Sequence, residues 1–385
     1  MPKKGVSIMS FSKIHRCLIA VCMLGPLLCA AQDAAKDRAT YVSFRVPRSI
    51  GTYPESINNG LTVTGYYISP SGITEGFVRS EDGAITTFSV PGSVLTEPVS
   101  INTAGDITGY YETAGLGTSQ GFVRSADGRI TTFGNALGLL QDNSFGAQPI
   151  GINTAGEIAG NYASFPFASH VFVRSVTGAI TTFSLTQGGS YSTIATGVNA
   201  SGTVIGYWSE DGTNIGFLRY ADRGVTNFAV PGSTGTSPTG INADGTIVGC
   251  YSTRDMSKGA PIGPPVYHDF VRSPEGVITP LNLPGTISGC GVSINFPLSL
   301  TPQVIDINDA GTITGYYINA TTHLSYGFVR SVDGEVTTFT QPGSMFTMPT
   351  SINDSGVITG YYSIGSHTWG FLRAPNVDHD HEGIH

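Results

Sequence analysis

Residues 100–111 read Ser-Ile-Asn-Thr-Ala-Gly-Asp-Ile-Thr-Gly-Tyr-Tyr, and residues 121–133 read Gly-Phe-Val-Arg-Ser-Ala-Asp-Gly-Arg-Ile-Thr-Thr-Phe. Each stretch holds two short β-branched or aromatic runs around a turn signal. Asn-x-x-Gly and Asp-Gly turn the chain because Gly accepts positive φ and Asn or Asp can bond its own backbone. The runs between them have strand chemistry. The pair therefore predicts four short strands, and no part of the chain after the first 31 residues keeps a helical apolar period for three turns.

The pattern recurs seven times. The Asn turn is centred on Asn58, Asn102, Asn153, Asn199, Asn242, Asn308 and Asn353, and each copy runs into Gly-Tyr-Tyr or a near variant. A Phe-Val-Arg or Phe-Leu-Arg block follows, ending at Arg79, Arg124, Arg174, Arg219, Arg272, Arg330 and Arg373. Most copies are 43 to 51 residues apart, the length of one four-stranded propeller blade. The seventh copy stops at Phe371-Leu372-Arg373 without its Thr-Thr-Phe strand, and a matching strand, Tyr41 to Pro47, stands at the other end. The expectation is an all-β, seven-bladed β-propeller in which the N-terminal strand completes the last blade. An open solenoid explains the split copy less well, since it leaves two sheet edges unpaired.

The ends read differently. Lys3, Lys4, Lys13 and Arg16 precede an apolar run from Cys17 to Ala30, and Cys29-Ala30-Ala31 offers small residues. That order is a secretory signal peptide, with an apolar run short of the roughly 20 residues a membrane span needs. The expected plan is a signal peptide over 1–31, a linker over 32–40, the propeller over 41–374 and a disordered His- and Asp-rich tail over 375–385. The leader takes four of nineteen Lys and Arg and no acid, so the formal charge falls from −8 to −12. Such a chain lacks the basic footprint for nucleic acid or an anionic membrane. Only Cys250 and Cys290 survive the leader, and in an exported chain they are expected to form a disulfide. No calcium-loop motif is present; no metal or cofactor is expected, and the chain is expected to be a monomer.

The repeat resembles the HAF repeat of extracellular bacterial proteins over residues 41 to 373. Gly151-Ile152-Asn153-Thr154-Ala155-Gly156 with His170-Val171-Phe172, and Gly240-Ile241-Asn242 with His268-Asp269-Phe270, carry the resemblance. The other copies depart from it by placing Gly before the Phe. The resemblance implies export and a propeller-like ring, and no particular chemistry.

Seven equivalent Asn or Arg residues suit a scaffold, whereas an active site needs one asymmetric set. Function is therefore sought where the repeat breaks, on the face of the variable loops and the channel mouth. Glu55 and Asp306 break the pattern on the innermost strand. Glu75, Glu97, Glu112, Trp208, Glu210, Asp211, Asp255 and four histidines, His268 among them, are expected on the loop face, as are the two long loops 252–268 and 286–305. The ligand-binding candidates are Glu55, Asp306, Trp208, Glu112, Glu210, Asp211 and His268. The reading is a secreted, non-catalytic binding or scaffold module for a glycan, peptide or protein. The alternative is a carbohydrate-active hydrolase or lyase using two of the carboxylates.

Overall fold

The computed structural model describes residues 37–115, 118–134, 144–164, 168–185, 192–210, 212–255, 262–281, 303–319 and 322–376. Cys290, Asp211, the signal peptide and nearly all of the C-terminal tail lie outside these residues. Among the described residues there is no helix. The strands group in fours, each repeat contributing an antiparallel sheet. In the first repeat the order from inside to outside is Gly51–Ile57, Val63–Ile68, Thr74–Arg79 and Ile85–Phe88. In the seventh, Thr347–Ile352, Ile358–Ile364 and His367–Ala374 are joined by the N-terminal strand Thr40–Phe44, which pairs Phe44 with Gly370 and Thr40 with Ala374. The strand starts within the expected linker, and Asp37 before it is tied to Arg373, so part of 32–40 belongs to the fold.

The Asn residues do more than shape turns. In each repeat the Oδ1 accepts backbone N–H groups of its own turn, as from Gly60 and Thr62 to Asn58, both at 3.0 Å. The Nδ2 group donates to the next repeat: Asn58 to the Asn102 carbonyl, and so on through Asn153, Asn199, Asn242, Asn308 and Asn353. Asn353 donates to the Asn58 carbonyl at 3.2 Å. All seven are buried.

A second inter-repeat contact explains the Phe-Val-Arg block. Phe122, fully buried, meets Phe88 of the preceding outermost strand edge-to-face at 6.1 Å, and the Arg124 guanidinium lies 5.0 Å over the same ring. The arrangement repeats at Phe44, Phe133, Phe183, Phe228 and Phe339. It lapses at Arg330, where the preceding outermost strand ends in Leu281 and offers no π-face. The arginines thus stack on a neighbouring ring, a contact worth about 0.5–2 kcal/mol, in addition to bonding a turn carbonyl such as Ser125 O.

Every innermost strand carries a β-bulge, at Glu55, Val99, Ile150, Thr196, Thr239, Ile305 and Thr350. The extra residue bends the strand and turns two consecutive positions toward the axis, the second being Gly in three repeats. The bulged backbone crosses close to the second strand. A Cβ on Gly65 would lie 2.1 Å from the Tyr53 carbonyl oxygen, and one on Gly109 2.2 Å from that of Glu97. That approach is why the signature reads Gly-Tyr-Tyr. Proline precedes five of the bulges; it fits because the inner edge of this strand faces the channel and has no ladder to serve.

Candidate functional site: the axial channel

The bulges line a channel. One stretch of it, about 190 Å³, is walled by Glu55, Ser56, Val99, Ser100, Ile150, Thr196, Thr239, Ile305, Asp306 and Thr350. A second stretch of about 220 Å³ continues past the Asn turns, with Asp309 and Asp354 at its rim. The first stretch is apolar or hydroxylic except at Glu55 and Asp306; the second adds the amides of the Asn turns.

Asp306 has a structural explanation. In the first repeats the equivalent serine accepts the next repeat's Ile N–H: Ser56 from Ile101 and Ser100 from Ile152, both at 3.3 Å. Asp306 takes that place, its Oδ2 accepting from Ile352 N at 3.2 Å and Ser351 Oγ at 3.1 Å. Burial pushes its carboxyl up to about 6, against these hydrogen bonds.

Glu55 differs. It replaces Val, Ile or Thr, and no described residue hydrogen-bonds its carboxyl. Burial in the channel wall, then the charge of Glu97, holds it well above the usual carboxylate range. Glu97 is raised as well, by burial and by Glu112, against a hydrogen bond from the Tyr110 hydroxyl. The sequence reading put Glu97 on a loop; it stands within the innermost strand Ser93–Ile101, paired with Tyr110. Its counterparts there are Tyr53, Gln148, Ile194, Ser237, Gln303 and Met348. That variable column was readable once the repeats were aligned on the bulge.

Tyrosines surround the two acids. Tyr53 stacks on Tyr66 at 4.8 Å and meets Tyr361 edge-on at 5.3 Å, and Phe346 meets Tyr361 at 6.0 Å. The Tyr66 and Tyr110 hydroxyls are pushed above the usual phenol range by burial and then by the carboxylates. The site thus joins residues of repeats 1, 2 and 7.

Of the other candidates, Glu112 is near enough for its charge to act on Glu97 and Tyr110; the rest lie elsewhere. Glu112 is on the strand Ile107–Thr113 and accepts from Ser119 Oγ at 3.0 Å. Trp208, also on a strand, turns its Nε1 to Asn227 on the outermost strand at 3.3 Å. Glu210 ends that same strand. His268 stacks on Tyr251 at 4.9 Å with Nε2 3.2 Å from Thr253 Oγ1, and His170 repeats this with Tyr162 and Ser164. These histidines occupy a column of cross-strand partners that in other repeats holds Glu75, Gln120, Ile215, Tyr326 or Trp369. Cys250 is buried in the strand Ile247–Asp255.

An acid held above its normal range lowers stability where it must ionise. Glu55 in the folded chain binds a proton that the unfolded chain has released. Its contribution is therefore fully present below the unfolded value and lost as pH rises through the folded one. Glu55→Gln is expected to raise stability at pH 8 by on the order of 1 kcal/mol, with the gain vanishing near pH 4. Thermal unfolding across that range checks it, and equal midpoints at pH 8 would contradict the assignment.

No protein-family model matches the chain, and no curated protein matches it in sequence. Among solved structures, TolB from Acinetobacter baumannii aligns over 79% of each chain at TM-score 0.43 and 13% identity. PorZ of Porphyromonas gingivalis, a surface component of the type-IX secretion system, aligns over 88% of this chain and 40% of its own, at 0.47 and 11%. The β-propeller domain of the Trilobed protease from Pyrococcus furiosus aligns over 85% of this chain and 97% of its own, at TM-score 0.55 and 8% identity. With its four-stranded sheets around a channel, the chain has an all-β fold of the β-propeller type.

Proposed function

We propose that the protein is an exported, non-catalytic, seven-bladed propeller of the HAF-repeat kind that binds a glycan, peptide or protein ligand at the loop-face mouth of its channel. Ring closure is supported by the pairing of Thr40–Phe44 with the last strand and by the return of the Asn353 side chain to Asn58. Export rests on the leader; no helix among the described residues is long and apolar enough to cross a membrane. The observation that carries the binding reading is Glu55. It is a carboxyl without a hydrogen-bond partner among the described residues, within reach of the Glu97 charge and of a tyrosine cluster, in a chain whose other repeats put an uncharged residue there.

The test is to screen the chain from Gln32 onward against glycan and peptide arrays and to repeat the hits with Glu55→Gln. Binding without turnover that the variant weakens supports the reading; silence on every array overturns it. The raised Glu55 beside Glu97 also favours a second reading, acid–base cleavage of a polysaccharide. Reducing or unsaturated ends released by the native chain and absent with Glu55→Gln would establish that instead.

Most of 252–268, expected as a loop, is strand, in Ile247–Asp255 and Ile262–Arg272; the Cys250–Cys290 bridge belongs to the same proposal, tying this strand pair to the segment 286–305. Non-reducing peptide mapping is expected to recover the two cysteines in one linked fragment; two free-thiol peptides would remove the staple.

A further inference from the structure

Five of the exposed large aliphatic or thioether side chains gather on the loop face of repeats 7, 1 and 2: Met345, Ile364, Ile50, Ile73 and Val94, between 42% and 57% exposed. The backbone connects them. Met345 N bonds to Ser363 O, and Ile364 pairs with His367. Thr368 bridges to Gly51, beside Ile50, whose N–H bonds to Ile68 O. Ser69 N bonds to Ile73 O, and Thr74 bridges to Leu95, beside Val94. This apolar rim spans the same three repeats as the Glu55–Glu97 site. The aromatic run Phe346, Tyr361, Tyr53, Tyr66 joins repeats 7 and 1, with Tyr361 and Tyr66 within reach of the Glu55 charge.

The interior of that sector lacks a cation. The charge of Glu97 acts on Glu55 and that of Glu112 on Glu97, and no Lys or Arg is paired with Glu55 or Glu97 among the described residues. Arg48, two residues before Ile50, is exposed at the rim, and Arg45 is held on the Ser49 carbonyl at 2.7 Å and lies 5.3 Å over Trp369; neither is paired with the two acids. The π-faces of the tyrosines and the paired carboxylates favour one incoming positive charge. No group of three or more His, Cys, Asp or Glu among the described residues is arranged to hold a metal ion. An ammonium, which needs only a few acceptors and a ring face, fits better. Aliphatic side chains along the rim serve a sugar poorly, since sugars bind by hydrogen bonds and aromatic stacking; they suit the side chains of a polypeptide.

Resting on the channel-mouth reading above, we propose that this sector docks an extended segment of a partner protein. Its apolar side chains lie along Met345, Ile364, Ile50, Ile73 and Val94, and one lysine enters the mouth between Glu55, Glu97 and the tyrosines.

The test uses the chain from Gln32 onward on an array of acetylated heptapeptides with a central lysine and varied aliphatic neighbours, on its twin with glutamine in that place, and on a glycan array. The expected result is binding to lysine peptides with aliphatic neighbours, weakened about tenfold or more on the glutamine twin. Glu55→Gln should weaken it similarly. Ile73→Ser with Val94→Ser, on the exposed rim and away from the carboxylates, should weaken it several-fold while leaving the unfolding midpoint unchanged. Equal binding to lysine and glutamine peptides overturns the proposal. Binding to glycans alone also overturns it and leaves the channel-mouth reading standing. Silence on all three arrays overturns both.

Discussion

Asn353→Ala is expected to cost roughly 3–5 kcal/mol of folding stability, read as a fall in the denaturant midpoint with little change in slope. The side chain is 3% exposed and makes three hydrogen bonds. Its Nδ2 donates to Asn58 O at 3.2 Å; its Oδ1 accepts from Val357 N at 2.9 Å and Ser355 Oγ at 2.8 Å. Alanine leaves a backbone donor and a backbone acceptor without these partners where water enters poorly, and each such loss costs about 1–3 kcal/mol. Asn353→Asp separates the two roles. Aspartate keeps the acceptors for its own turn but cannot donate, and it sets a negative charge against the Asn58 carbonyl. If the cross-repeat bond matters, Asp is nearly as damaging as Ala; if only the turn matters, Asp is close to native. A cost below about 1 kcal/mol for both variants would mean that the cycle of asparagines contributes little.

The turn role of these asparagines was legible in the sequence, because Asn-x-x-Gly is a local signal. Their donation to the next repeat was not, because it depends on how neighbouring sheets are placed, which no single repeat encodes. The same division applies to Arg124. Its block was visible, but its stacking partner Phe88 lies in the preceding repeat. The lapse at Leu281 and Arg330 shows that the pairing could have been found by comparing each Arg with the aromatic residue before it. At the channel, Glu55 stood out because it breaks a column of Val, Ile and Thr. Asp306 stood out for the same reason, yet it performs the serine's task of accepting the next repeat's Ile N–H. Departure from a repeat marks a position but does not say whether the new group serves the scaffold or a ligand; the presence or absence of hydrogen-bond partners does. Glu97 reads as a loop residue because the innermost strand begins at Ser93, ahead of the bulge at Val99 and of the Ser-Ile-Asn run. Its proximity to Glu55 is a tertiary fact.

The N-terminal strand leads to the other large effect. Asp37→Ala is expected to cost about 3 kcal/mol, the lower end for breaking a buried ion pair, since the pair lies at the margin of the last sheet. Arg373 Nη2 meets Asp37 Oδ1 at 2.6 Å and its Nε meets Oδ2 at 3.1 Å, with the side chains 7% and 4% exposed. The Tyr41 hydroxyl and the Ala39 N–H bond the same carboxylate. Burial alone would push the Asp37 carboxyl up; Arg373 and Tyr41 outweigh it and hold it below its usual range. A depressed folded value stabilises the protein above the unfolded value and loses that contribution as pH falls through the folded one. The gap between native chain and Asp37→Ala should therefore be widest near neutrality and shrink below about pH 4. Arg373 also lies 5.0 Å over Phe339 of the sixth repeat, so the one side chain ties the N-terminal segment to two sheets. An Arg373→Met variant should lose both contacts and fall further than Asp37→Ala, with no acid limb. If Asp37→Ala instead unfolds like the native chain at every pH, the pairing of Thr40–Phe44 with the last strand holds without its clasp, and stability at the junction comes from the strand ladder and the Phe44–Phe77 contact.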